Sequence, residues 1–249
     1  MMTVQTILPQ PFEWVHIPSG DVFIQYGEWD KLEFRVREVK KLSVSAFDIA
    51  KYPVTNAQYD VFINHPDGYK NPKWWDFSDE AKKWFYERDS QIEAPYFVGD
   101  DCPRDSVSWY DSMAFCLWLS AMTDEKIMLP TEWQWQRAMI GDGHQKYAWG
   151  DAIDATFANY NQHIRKTTPV THYPAGKSVF GVMDMIGNLW EWCLNSYETQ
   201  HTDLSATDER ALRGGSWINP SELVNALVYD GAPPDVRDYC FGFRCVLLR

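Results

Sequence analysis

Met185-Ile186-Gly187-Asn188-Leu189-Trp190-Glu191-Trp192 is the stretch on which the reading of this chain turns. It lies in a region, from Tyr147 onward, where regular periodicity fades and Gly, Asn, Asp and Pro become frequent. That composition predicts long ordered loops joined by short strands. Loops of such length in a compact domain are usually functional or tied down by a bound ion. Trp149, Trp190, Trp192 and Trp217 are expected as buried anchors rather than ligand platforms, because tryptophan brings a large apolar area to an irregular interior.

Toward the N-terminus the pattern is more regular. Phe12 to Pro18 and Val22-Phe23-Ile24 alternate apolar and polar as edge or hairpin strands do, and residues 33–49 continue in that style. Three helix starts follow, each a hydroxyl residue with a side chain three positions later that can reach back to the cap amide. They are Thr55 with Gln58, Ser108 with Asp111 and Thr131 with Gln134. The second helix should end near Thr123 and bury one stripe of Met113, Cys116, Leu117 and Ser120; the third should cover about 131–139. The insert from Asn71 to Asp89, with Trp74, Trp75 and Trp84, reads as helical.

The chain has 249 residues, 45% apolar and 23% charged, which is ordinary globular composition with enough apolar mass for a sizeable core. No linker, repeat or low-complexity stretch divides it, so residues 1–249 read as one domain. A formal charge of −12 argues against nucleic acid as a partner, since that affinity rests on clustered Lys and Arg. No basic start leads into an apolar run at the N-terminus and no run of about 18 apolar residues occurs, so neither a secretory signal nor a membrane span is expected. Five cysteines, an odd number without CxxC spacing, fit reduced thiols and a cytoplasmic location.

Seven segments in order carry a resemblance: Tyr52 to Tyr59, Val107-Ser108-Trp109, Leu129 to Trp133, Tyr147 to Asp151, Met185 to Trp192, Arg213-Gly214-Gly215-Ser216-Trp217 and Gly242-Phe243-Arg244. Together the chain resembles the formylglycine-generating-enzyme, or sulfatase-modifying-factor, family. The resemblance implies an α+β, C-type-lectin-like fold with few short helices and strands and long loops fastened by ions. It also implies a calcium loop in which Asp184 and Glu191 give side-chain oxygens and Gly187 and Leu189 give carbonyls, a donor set suited to a hard cation. The bland alternative is that Glu191 pairs with an arginine while Asp184 caps a turn. A second family ion site would use Asn159 and the carbonyl of Tyr160, but the loop from Asn161 to Pro169 is shorter than the family's.

Oxygen-dependent formylglycine formation in that family needs two cysteines after the Gly-Gly-Ser motif, whose thiolates bind copper. The matching positions here are Asn219 and Val224, and Cys240 and Cys245 do not replace them. A related sulfoxide-forming branch carries iron-binding histidines on an added bundle, whereas the six histidines here are scattered, with no HxxxH pair. The expectation is therefore a chain that is not an enzyme and binds neither copper nor iron. An enzyme of the formylglycine-generating or a related oxidative kind, or an accessory module of a larger assembly, is the alternative.

Residues 218–241 also resemble the terminal segment of variable proteins of diversity-generating retroelements, where Gly-Gly-Ser-Trp, Pro-Asp-x-Arg and Gly-Phe-Arg frame positions randomised at the adenines of asparagine codons. Pro234-Asp235-Val236-Arg237 falls at the matching spacing. Such randomisation never yields Glu, Lys, Gln, Met or Trp. Those types make up 55 of the first 217 residues, about one in four, yet only Glu222 occurs among the 24 residues of this segment. The expectation is a protein-binding surface of Ile218, Asn219, Val228, Tyr229, Asp230, Val236, Asp238, Tyr239 and Phe241, with exposed aromatics as anchors.

Overall fold

A computed structural model describes residues 2–30, 33–87 and 92–249. All three expected caps form as reciprocal capping boxes. Thr55 starts α2 (Asn56–Asn64), Ser108 starts α4 (Trp109–Thr123) and Thr131 starts α5 (Glu132–Ile140). Two further helices are α1 (Val4–Ile7) and α3 (Asp79–Glu87), the latter with a 3-10 turn over Pro72–Trp75, so the insert is helical as its sequence suggests. Arg88 and Asp89, at its end, lie outside the described residues.

Helix α4 differs from expectation. Met113 and Cys116 are buried, but so are Trp109, Tyr110, Ala114, Phe115, Trp118 and Leu119, while Leu117 and Ser120 are only half-buried. A helix apolar on all sides must be enclosed on all sides. It forms the axis of one core cluster, with Phe62, Trp75, Trp192 and Phe243 around it. A second cluster packs α5 residues Trp135, Ala138 and Met139 against Ile24, Ile49 and Val246.

Among the described residues ten short or ribbon-like strands surround these helices. β1 (Trp14–Ile17), β4 (Phe47–Ala50), β5 (Lys126–Met128) and β10 (Val246–Leu248) form a sheet in the order β1-β4-β10-β5, which brings both chain ends together. β2 (Gly20–Asp30) and β3 (Glu33–Val44) pair as a long antiparallel ribbon. β6 (Trp190–Ser196), β7 (Arg210–Arg213), β8 (Tyr229–Ala232) and β9 (Phe241–Gly242) form the third sheet, in the order β8-β7-β6-β9. Segment 218–241 thus leaves β7, returns as β8 at one edge and ends in β9 at the other edge.

Trp190, Trp192 and Trp217 are buried as expected; Trp149 is not. It is half-buried, stacked between Tyr147 at 5.2 Å and Phe157 at 4.7 Å, because its loop runs over the surface. Gly214 and Gly215 follow β7 with φ of 95° and 74°, a region that disfavours any side chain. A Cβ on Gly214 would lie 2.6 Å from the Met185 carbonyl oxygen. Gly214→Ala should therefore lower stability by about 1–3 kcal/mol in urea denaturation; an unchanged midpoint would show that the turn is free to move.

Candidate functional site

The C-terminal segment is pinned before it is displayed. The Arg237 guanidinium donates to both oxygens of Asp111, at 2.8 and 3.2 Å, and to the Tyr69 hydroxyl at 2.9 Å. Asp111 also accepts from the Ser108 backbone at 3.0 Å, so the residue that completes the capping box of α4 is the one that holds the segment. Backbone bonds from Ser106 to Asp238 and from Trp109 to Pro234, both 3.1 Å, lay residues 234–238 along the helix start.

Pinning divides the expected surface residues. Val228 and Tyr229 do not face outward: they are 4% and 5% exposed. Val228 belongs to the core around α4, and its carbonyl accepts from Arg213. Tyr229 packs edge-on against Tyr26 at 5.9 Å, and its hydroxyl accepts from the Gly27 amide at 3.2 Å, fastening the β2–β3 ribbon to β8. The two side chains enter different core clusters, so the chain is covered on both sides at this point. Ile218, Asn219, Val236, Asp238 and Phe241 are half-buried, while Asp230 and Tyr239 are exposed. Asn219 accepts from the Ser216 amide at 2.9 Å and Asp238 from the Cys240 amide at 2.7 Å, so both shape turns.

Around Tyr239 the segment meets Tyr96 and Phe97, which sequence reading did not single out. Tyr239 lies 5.1 Å from the Tyr96 ring and 6.1 Å from Trp217, and Trp217 stands edge-on to Phe97 at 5.4 Å. Tyr96 is 67% exposed and Tyr239 38%. Asp105 positions the first wall of this ridge, accepting from the Tyr96 and Phe97 amides, the latter at 3.1 Å; burial pushes its carboxyl above the usual range. Among the described residues the buried Trp217 indole N–H has no acceptor. A ridge of neighbouring aromatic rings is suited to holding an apolar group.

Of the residues expected to hold calcium, Glu191 is already engaged by an arginine. Both Glu191 oxygens accept from Arg244, each at 2.6 Å, and Oε2 also accepts from the Trp135 indole at 2.8 Å. Asp184 takes a bond from the Asn188 amide group at 2.8 Å, and burial pushes its carboxyl up to about 8. Gly187 bonds through its amide to the Gly214 carbonyl; Leu189 is buried in the core. Asn159 donates through its amide nitrogen to the Lys166 carbonyl at 2.8 Å and to Asn188 at 3.1 Å, while its buried Oδ1, the atom that would face a cation, has no partner among the described residues. Among the described residues no group of three or more His, Cys, Asp or Glu side chains is placed to share a metal ion.

The thiols are unreactive by environment. All five cysteines are buried. Cys240 is pushed up to about 12 by desolvation, and Cys116 and Cys245 lie 3.7 Å apart, sulfur to sulfur, in the core. Val224, at the second expected cysteine position, is wholly buried. Iodoacetamide at pH 8 should label the native chain slowly and the guanidinium-unfolded chain at all five sites within minutes, read by mass spectrometry; rapid native labelling of Cys240 would contradict this environment.

A family model described as the sulfatase-modifying factor enzyme 1-like domain matches residues 5–248, and the chain belongs to that family. Its α+β, C-type-lectin-like fold is shared with solved relatives. PvdO from Pseudomonas aeruginosa superposes with a TM-score of 0.70 at 19% identity, covering 95% of this chain and 94% of that one. Treponema denticola variable protein 1 superposes with a TM-score of 0.67 at 21% identity, covering 95% of each. In sequence, a hercynine oxygenase of Mycolicibacterium smegmatis is 29% identical over 84% of this chain and 54% of its own length.

That last similarity corrects the expectation that the chain is not an enzyme, for oxygenases match it across most of its length. The chain spans about half the length of those relatives. Among the described residues no helix is long and apolar enough to cross a membrane.

Breaking the Glu191–Arg244 pair should show how far the site depends on it. Arg244→Met leaves a buried carboxylate without its cation and is expected to cost about 3–5 kcal/mol in chemical denaturation. A loss below 1 kcal/mol would mean that water or another cation reaches Glu191.

Proposed function

We propose that this chain is a recognition domain that binds a protein partner through the ridge of Tyr96, Phe97, Trp217 and Tyr239 and the outward positions of a diversified 218–241 segment. The observation that carries the reading is the exposed Tyr239 ring beside Tyr96 and Trp217, whose indole N–H has no acceptor among the described residues. Rigid aromatic side chains give large contact area at low entropic cost, which is why they dominate protein interfaces. The depletion of Glu, Lys, Gln, Met and Trp in 218–241 and the likeness in fold to a Treponema denticola variable protein support diversification of that surface.

Peptides selected from a random displayed library against the native chain provide the test. Tyr239→Ala and Tyr96→Ala should each weaken the best peptide at least tenfold by calorimetry, with melting unchanged because both rings are exposed. Equal affinity in both variants would refute the ridge. A reverse-transcriptase gene and a near-copy of the 3′ end beside the coding sequence are the expected genomic companions of a diversified segment.

The hercynine oxygenase relatives favour a second reading, in which the same face holds the substrate of an oxidation. It predicts oxygen uptake when a thiol substrate is supplied with ferrous or cuprous ion, a result that library-peptide binding alone would not produce.

A further inference from the structure

Beside the ridge, the chain walls a cleft of about 560 Å³ that includes Val98, Cys102, Ile164, Thr167, Thr168 and His172. Tyr96 and Phe97 of the ridge form part of its wall. Both walls are held from behind. Asn56 donates to the carbonyls of Phe97 at 3.2 Å and Gly99 at 2.9 Å, and its own amide bonds to the Cys102 carbonyl at 3.0 Å. Opposite, the Asn188 side chain clamps Thr168 at both its amide and its carbonyl, each at 3.0 Å, and Asn159 holds the Lys166 carbonyl at 2.8 Å. A bond of 3.0 Å from the Val170 amide to the Asp101 carbonyl joins the walls. The cleft is thus formed before any ligand arrives, which removes an ordering cost from binding.

Its chemistry is uneven. Val98 and Ile164 stand 85% and 42% exposed at the mouth, an arrangement that leaves branched apolar side chains in water. Deeper in, Thr167 and Thr168 are 2% and 4% exposed. Among the described residues neither the Thr167 nor the Thr168 hydroxyl has a hydrogen-bond acceptor or donor in place; Thr167 lies near the Cys102 thiol, which burial keeps neutral. Buried hydroxyls are ordinarily satisfied, and one without a partner carries a desolvation penalty that a ligand can relieve. The volume lies within the range of small-molecule sites, which combine apolar walls with few convergent polar groups.

We propose that this cleft, which Thr168 lines, receives an aromatic group bearing a polar tip, of the phenol kind, with the ring between Val98 and Ile164 and the tip bonded to the Thr168 hydroxyl. Such a group arrives either as a free small molecule or as a tyrosine side chain of the partner that the ridge binds. The cleft extends the proposed recognition face, but its test does not depend on that face.

The probes are p-cresol, toluene and N-acetyl-tyrosinamide, followed by NMR titration of the whole chain. p-Cresol is expected to saturate at millimolar concentration and to shift the Thr167 and Thr168 methyl signals. Thr168→Val keeps the shape and removes the hydroxyl, so it should weaken p-cresol about tenfold, leave weak toluene binding as it was and hold or raise the melting temperature. Val98→Asp, at an exposed position, should weaken both compounds. Unchanged p-cresol affinity in Thr168→Val, or a lowered melting temperature that reveals an internal partner for the hydroxyl, would overturn the proposal. N-acetyl-tyrosinamide binding as well as p-cresol points to a peptide source, and its exclusion to a free small molecule. Library-peptide affinity measured on Thr168→Val reads the ridge separately, so either reading can fail without the other.

Discussion

One ion pair organises this molecule. Arg244 and Glu191 are both buried, and the guanidinium that grips the carboxylate also donates to the carbonyls of Ala50 and Lys51 after β4 and of Met183 and Asp184 in the loop before β6. The Trp135 indole on α5 completes the shell. A charge taken out of water survives only when paired and fully hydrogen-bonded. Here that requirement forces the terminal sheet, a long loop, the third sheet and a helix into one arrangement. The Gly-Phe-Arg and Trp-Glu-Trp motifs are therefore two halves of a single contact.

A second pair, Arg237 with Asp111, does the same work on a smaller scale. It fixes the middle of the C-terminal segment to the capped start of α4, so residues on either side have settled orientations. Along the segment the chain divides between core and solvent: Val224, Ala226, Val228 and Tyr229 turn in, while Asp230, Asp235 and Tyr239 turn out. A surface can vary at such outward positions because the energy that holds the backbone lies elsewhere.

The helices and the third sheet's motifs were legible because capping boxes and Gly-Gly turns are local chemistry. Thr55, Ser108 and Thr131 each announce a helix within four residues, and each helix is there. Side-chain direction in the segment was not legible. Whether Tyr229 or Tyr239 faces water depends on strand pairing in β8 and on a ribbon some two hundred residues away, at Gly27. The same distance in sequence hid the partners of Tyr239, since nothing near Tyr96 or Phe97 marks them as neighbours of a C-terminal loop. Glu191 was weighed between an ion and an arginine, and only spatial proximity to Arg244 places the guanidinium there.

A systematic substitution scan of positions 218–241, read as resistance of each variant to proteolysis, tests most directly whether a pinned frame carries an independent outward face. The account predicts broad tolerance at Glu222, Asp230, Asp235 and Tyr239 and sharp loss at Val224, Ala226, Val228, Tyr229 and Arg237. Uniform intolerance along the segment, or tolerance at Arg237 equal to that at Tyr239, would contradict it.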